Sequence, residues 1–245
     1  MSKRPAILNE ILKEAVTLKS SGTRLKAIFD LDSTLFDVSP RITKILHAFA
    51  ELPEIKAKYR KESELLLTVK PHPEDYGVKR TLARYGFSLS PSAEFAQQLV
   101  DYWKKYFFGS DYLFHDVPYE GAVGFVNDLH NAGADIYYLT GRDVPRMQTG
   151  SVASLKQWGF PLNEDHANLI LKPSTGIEDY NFKKEFFMKM DKTDGSVWFF
   201  ENEPINIRLV LENCPHIKLV YVDTVHSESE APPPPQVLRI KGYST

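Results

Sequence analysis

The stretch Lys26-Ala27-Ile28-Phe29-Asp30-Leu31-Asp32-Ser33-Thr34-Leu35-Phe36-Asp37 decides how the rest of the chain is read. Four residues suited to a buried strand end in two aspartates one position apart, succeeded at once by two hydroxyls. Alternate residues of an extended segment project to one side. Asp30 and Asp32 can therefore both reach a group lying just beyond the strand end. An Asp-x-Asp pair can also cap a turn through backbone hydrogen bonds, so the residues at the ends of the other strands have to decide between capping and chemistry.

Short β-like runs recur along the chain. Residues 26–29, 135–140, 168–171, 197–200 and 217–222 read as buried strands. Helical patterns lie between them, beginning near Tyr119, Arg146, Asn181 and Pro204. Strand–helix alternation predicts an α/β, Rossmann-like, doubly wound parallel sheet. Residues 5–20 carry Ile7, Leu8, Ile11, Leu12, Ala15 and Leu18 at helical spacing, predicting a helix over 1–22 packed on the core.

The interval between Asp37 and Asp116 breaks the rhythm. It is mostly helical in pattern and too long for a loop, which predicts an α-helical subdomain inserted over 39–115 into a core of 23–38 and 116–225. Its aromatic residues Phe95, Tyr102, Trp103, Tyr106, Phe107, Phe108, Tyr112 and Phe114 read as core packing, and Arg80 and Arg84 as a solvated face. Residues 226–245 form a Pro-rich C-terminal tail in which Gln236–Ile240 can add an edge strand.

Composition bounds the function. The chain has 245 residues, 42% hydrophobic and 25% charged, with a net charge of −2, which gives no broad attraction to nucleic acid or to anionic membranes. A single Cys214 excludes an internal disulfide and any Cys-based zinc cluster. The histidines are scattered without ligand spacing. The first residues lack the uninterrupted apolar stretch of a signal peptide, so a cytoplasmic, reducing location is expected.

In an open parallel sheet, ligands bind outside the carboxyl ends of the strands. Asp30 and Asp32 come after the first strand; Thr140, Gly141, Arg142 and Asp143 after the second; Glu201, Asn202 and Glu203 after the fourth, with Lys183 and Lys184 on the helix before it. These residue types suit phosphoryl transfer. A carboxylate can act as covalent nucleophile, a hard cation can offset its repulsion from a phosphate, a hydroxyl, amide N–H groups and a lysine can hold phosphoryl oxygens, and a second carboxyl can serve as acid and base.

Four segments in order resemble the motifs of the haloacid dehalogenase-like hydrolase superfamily: "FDLDSTLFD", "YYLTGRD", "LILKPSTGIEDYNFKKEFF" and "VWFFENEPINI". The resemblance implies a Mg²⁺-dependent phosphatase with a helical cap, acting on a small phosphorylated metabolite through an aspartyl-phosphate. It implies Asp30 as nucleophile and metal ligand, and Asp32 as general acid/base and metal ligand through its carbonyl. It further implies Thr140 and Gly141 at the phosphate, Lys183 bridging phosphate and Asp30, and Glu201 completing the metal site. Lys184 and Lys172 lie near the same motif, and Thr34, Arg142 and Asn202 are expected to support the site. The fourth motif departs from the usual aspartates, having Glu201-Asn202. An acid at position 32 fits phosphate esters rather than carbon–halogen bonds. A nucleotide or polynucleotide-end phosphatase and a non-catalytic module binding a phospho-ligand or a protein remain as alternatives.

Overall fold

The computed structural model describes residues 4–72, 75–87, 94–162, 166–190, 195–227 and 231–244. Six parallel strands form one sheet: β1 (Lys26–Phe29), β4 (Asp135–Asp143), β5 (Ala167–Lys172), β6 (Val197–Glu201), β7 (Lys218–Val222) and β8 (Leu238–Ile240). Their order is β5-β4-β1-β6-β7-β8. The chain leaves β1 toward β4 and β5, then returns to lay β6 on the other side of β1. That reversal opens a crevice beyond the carboxyl end of β1, where Asp30 emerges.

The strands alternate between two cores, as the pleat requires. Ala27 and Phe29 face a cluster shared with α1 (Ala6–Ser20), α7 (Ala122–Asn131) and α8 (Val144–Gln157). Ile28 and Phe199 face a second cluster with Phe187 of α9 (Asp179–Met188) and Ile207 and Val210 of α10 (Pro204–Asn213). The doubly wound arrangement is therefore as expected, with helices on both faces of the sheet.

Between β1 and β4 the chain forms α2 (Ser39–Ala50), α3 (Pro53–Lys58), α4 (Arg60–Leu66), α5 (Gly77–Arg84) and α6 (Glu94–Phe107). These helices share a third hydrophobic cluster that includes Ile42, Leu46, Phe49, Leu82 and Leu99, with Phe95, Tyr102, Trp103 and Phe107 packed against it. The aromatic residues of the inserted segment thus largely pack as expected. Phe108 and Phe114 are exceptions and stay exposed. Arg84 is not merely solvated, because it pairs with buried Asp75 at 2.7 Å. The start expected for α6 at residues 92–93 lies outside the described residues.

Two differences from the sequence reading have physical causes. The two strands β2 (Phe36–Asp37) and β3 (Val117–Pro118) pair antiparallel where the chain enters and leaves the helical segment; two residues are too few to show periodicity. β4 runs past Thr140 through a register irregularity and pairs again at Asp143 with Lys172; Asp143 then caps α8, its Oδ1 accepting from the N–H of Arg146 at 2.9 Å. The edge strand expected within Gln236–Ile240 forms as β8, pairing parallel with β7, and Ile240 and Tyr243 are buried in the first core. Among the described residues no helix is long and apolar enough to cross a membrane.

Candidate active site

The turn after β1 presents the two aspartates. The amide N–H of Asp30 still donates to the Phe200 carbonyl at 3.0 Å, continuing the ladder with β6. The chain then folds back, with the amides of Thr34, Leu35 and Phe36 all donating to the Leu31 carbonyl. Ser33 adopts φ +62°, a conformation that few non-glycine residues take. The Thr34 hydroxyl donates to Asn202 Oδ1 at 2.9 Å, tying this turn to the end of β6.

Lys183 is the centre of the charge arrangement. Its Nζ lies 2.7 Å from Asp30 Oδ1, 2.8 Å from Glu201 Oε2 and 3.1 Å from Asp179 Oδ2, and the side chain is only 2% exposed. Three ammonium donors meet three carboxylates. Burial alone would lower the lysine's proton affinity, but Asp179, Asp30 and Glu201 together raise it well above its usual value. One positive charge cannot balance three negative ones. Burial accordingly pushes the Asp30 carboxyl up to about 8, against the pull of Lys183 and with Glu201 and Asp179 adding to the rise. Burial raises Glu201 too. Of the three lysines near the motif, Lys183 alone contacts Asp30. Lys184 reaches Asn181 at 3.3 Å, and Lys172 donates to the Ile177 carbonyl at 2.9 Å.

Glu201 is fixed through both oxygens. Oε1 accepts from the amides of Asn202 (2.8 Å) and Glu203 (2.9 Å), and Oε2 accepts from Asn206 Nδ2 (2.9 Å) as well as from Lys183. Asn202 turns its amide to the Val225 carbonyl at 2.7 Å. Asp179, one helical turn before Lys183, escaped the sequence reading as a site residue. Its position four residues ahead of Lys183 on α9 is the signal that could have found it. Its Oδ1 is buried without a hydrogen-bond partner, and it faces Gly141 so closely that a Cβ there would stand 2.5 Å away. Thr140 is buried on the floor of the same cleft, its hydroxyl accepting from the Arg142 amide at 3.2 Å.

Asp32 sits in a second electrostatic group. Arg41 Nη2 lies 3.0 Å from its Oδ1, and Arg142 Nη2 donates to the same oxygen. Behind them Asp116, fully buried, holds Arg142 Nη2 at 2.7 Å and lies 3.0 Å from Arg41 Nε. Burial would raise the Asp32 carboxyl, but the guanidinium groups of Arg142 and Arg41 hold it well below the usual carboxylate range. Arg142 thus contacts Asp32 directly. Arg41 and Asp116 were not foreseen, since neither is near Asp32 in a motif.

A cavity of about 850 Å³ opens over these groups, reaching Asp30, Asp32, Thr140, Gly141, Lys183 and Glu201. Its acidic and amide donors are hard oxygens with no imidazole or thiol. Among the described residues no three acidic, imidazole or thiol groups form a ready cage for an ion. The excess negative charge around Lys183 and the unpartnered Asp179 Oδ1 nonetheless suit a small hard cation that keeps several waters.

The chain matches the family of haloacid dehalogenase-like hydrolases over residues 27–186, which spans Asp30, Asp32, Thr140 and Lys183. No curated protein sequence matches it. Among solved structures it resembles a candidate phosphatase from Clostridium difficile, at 16% identity and a TM-score of 0.52, over 85% of this chain and 89% of that one. It resembles equally a haloacid dehalogenase-like family protein from Streptococcus pneumoniae, at 13% identity and a TM-score of 0.52, over 90% and 95% of the two chains. At such identities the likeness concerns the fold. With the family match covering more than half of its length, the chain belongs to the haloacid dehalogenase-like hydrolases.

Proposed function

We propose that the protein hydrolyses the phosphomonoester of a small metabolite through an aspartyl-phosphate on Asp30. The observation that carries this reading is the sharing of Lys183 by Asp30 and Glu201, residues at the carboxyl ends of two different strands. In this reading a phosphoryl group lies above Asp30, with its oxygens held by Lys183, the Thr140 hydroxyl and the Gly141 amide. Asp32 is kept ionised by Arg41 and Arg142 and takes up a proton once it has turned away from them; an Asp30 oxygen then attacks phosphorus and the ester oxygen leaves with that proton. Water then attacks the acyl-phosphate, giving its proton to Asp32, so that phosphate departs and both carboxyls are restored.

Asp30, the Asp32 carbonyl and Glu201 would hold Mg²⁺, which when bound would offset the negative charge of nucleophile and phosphate. Asp32 has to turn from Arg41 and Arg142 toward the leaving oxygen, and its side chain, 32% exposed, has room to do so. Residues 39–115 act as a helical cap that closes over the cleft and excludes bulk water. The remaining division is an N-terminal helix over 1–22, a core of 23–38 and 116–225, and a tail from 226. A reducing, cytoplasmic setting suits the free, buried Cys214.

Hydrolysis of an aryl phosphate in the presence of Mg²⁺, compared between the native protein and Asp30→Asn, tests the reading. Loss of turnover in the variant supports it; equal, metal-independent turnover rejects it.

A further inference from the structure

A second cavity, about 270 Å³, adjoins the first beside Asp32 and extends beneath the helical segment. Four large rings wall it: Tyr76 just before α5, Trp103 and Phe107 on α6, and Phe108 immediately after. Trp103 stacks on Phe107 with centroids 4.6 Å apart, and Phe108 meets Phe107 edge-on at 5.1 Å. The charged lining is entirely of one sign. Asp32, Asp37, Asp75 and Glu203 reach this cavity, while no lysine, arginine or histidine does among the described residues.

Two of these carboxylates are already neutralised, Asp32 by Arg41 and Arg142 and Asp75 by Arg84 at 2.7 Å. The other two are not. Asp37 Oδ1 accepts from the Ser39 amide at 2.8 Å and Glu203 Oε2 from the Ser227 amide at 3.2 Å, and neither forms a salt bridge with a described residue. A leaving group carrying a second phosphate or a carboxylate would be repelled here. A neutral polyol would gain little from the rings. A cation would be attracted by Asp37, by Glu203, whose burial-raised carboxyl it would help to ionise, and by the faces of aromatic side chains, the pairing by which proteins recognise alkylammonium groups. The volume lies just under the roughly 300–1,000 Å³ of pockets for drug-sized ligands, so the leaving group is short.

We propose that this cavity receives the ammonium end of the substrate, which makes the substrate the phosphomonoester of a small amino alcohol. Hydrolysis then yields the free amino alcohol and inorganic phosphate. The inference rests on the phosphatase reading and names its substrate class. Trp103, Phe107, Asp37 and Glu203 are the specificity-determining residues.

The test uses phosphocholine and its neutral isostere, in which carbon replaces the quaternary nitrogen, with the full-length protein and Mg²⁺. The expected kcat/KM favours phosphocholine by at least about tenfold, and Asp37→Asn and Trp103→Leu each bring the ratio toward one. Hydrolysis of both esters at equal rates, or faster hydrolysis of the neutral one, overturns the inference and leaves the phosphatase reading standing. If no phosphate ester is hydrolysed, the phosphatase reading fails. The cavity is then tested directly by calorimetric titration with choline and with the corresponding neutral alcohol: binding of choline alone supports the cationic subsite, and equal binding or none overturns it.

Discussion

Lys183 Nζ stands 2.7 Å from Asp30 Oδ1 at a site where the same ammonium also meets Glu201 and Asp179. The contact joins a helix to the end of the central strand and leaves the cleft with more negative than positive charge.

Removing that ammonium should be costly to folding. Lys183→Met leaves buried carboxylates without a counter-ion, and breaking a buried ion pair from one side typically costs about 3–5 kcal/mol. Adding Asp30→Asn should recover part of the loss, giving a coupling energy of about 1 kcal/mol or more in a double-mutant cycle. Urea unfolding of the four proteins without metal measures it; strict additivity would contradict the shared-lysine geometry.

Asp30 also predicts a pH dependence. Its carboxyl in the folded protein is raised to about 8, while an unfolded aspartate titrates near 3.9. Between those values the folded state binds a proton that the unfolded state has released, so stability falls as pH rises through this window. In metal-free protein, unfolding by urea at pH 5 and pH 8 should show a decline that Asp30→Asn reduces by about 1 kcal/mol or more.

Gly141 is required by the closeness of Asp179, not by an unusual backbone angle. In Gly141→Ala the new methyl would stand 2.5 Å from Asp179 Oδ1. The variant should lose about 1–3 kcal/mol of stability and most of its turnover. Asp179→Ala in the same chain should restore much of the stability, as thermal unfolding would show, without restoring turnover.

In the proposed mechanism Arg142 acts as a positioning residue that holds Asp32 in the cleft before Asp32 turns to the leaving oxygen. Its Nε and Nη2 both donate to Asp32 while Nη2 also holds Asp116 and Nη1 reaches the Ser151 hydroxyl at 3.3 Å, a spread of donors that a lysine ammonium cannot copy. Arg142→Lys should lower kcat by about a hundredfold while changing KM little, in line with the contribution of a placed acid and base. Steady-state kinetics on an aryl phosphate tests this; an equal rise in KM with kcat unchanged would mean that Arg142 binds substrate instead.

How much of this was legible in the sequence depends on the length scale of each signal. β1, β6 and β7 were visible because apolar runs of four or five residues stop at polar turns, and Asp30, Thr140, Lys183 and Glu201 were visible because they stand at or beside those stops. Arg41 and Asp116 were not, since they lie at opposite ends of the inserted helices and meet only after β2 and β3 close the segment's two ends. Asp179 was hidden for another reason: an aspartate in the first turn of a helix is ordinary, and only its contact with Gly141 and Lys183 makes it part of the site. Burial of Tyr243 could not be read from a Pro-rich tail.

The most direct measurement is mass spectrometry of acid-quenched protein after mixing with Mg²⁺ and a phosphate ester. The mechanism predicts a peptide containing Asp30 that gains one phosphoryl group, and Asp30→Asn protein that gains none. Turnover of the ester with the phosphoryl group found on another side chain, or with no labelled protein at any quench time, would contradict it.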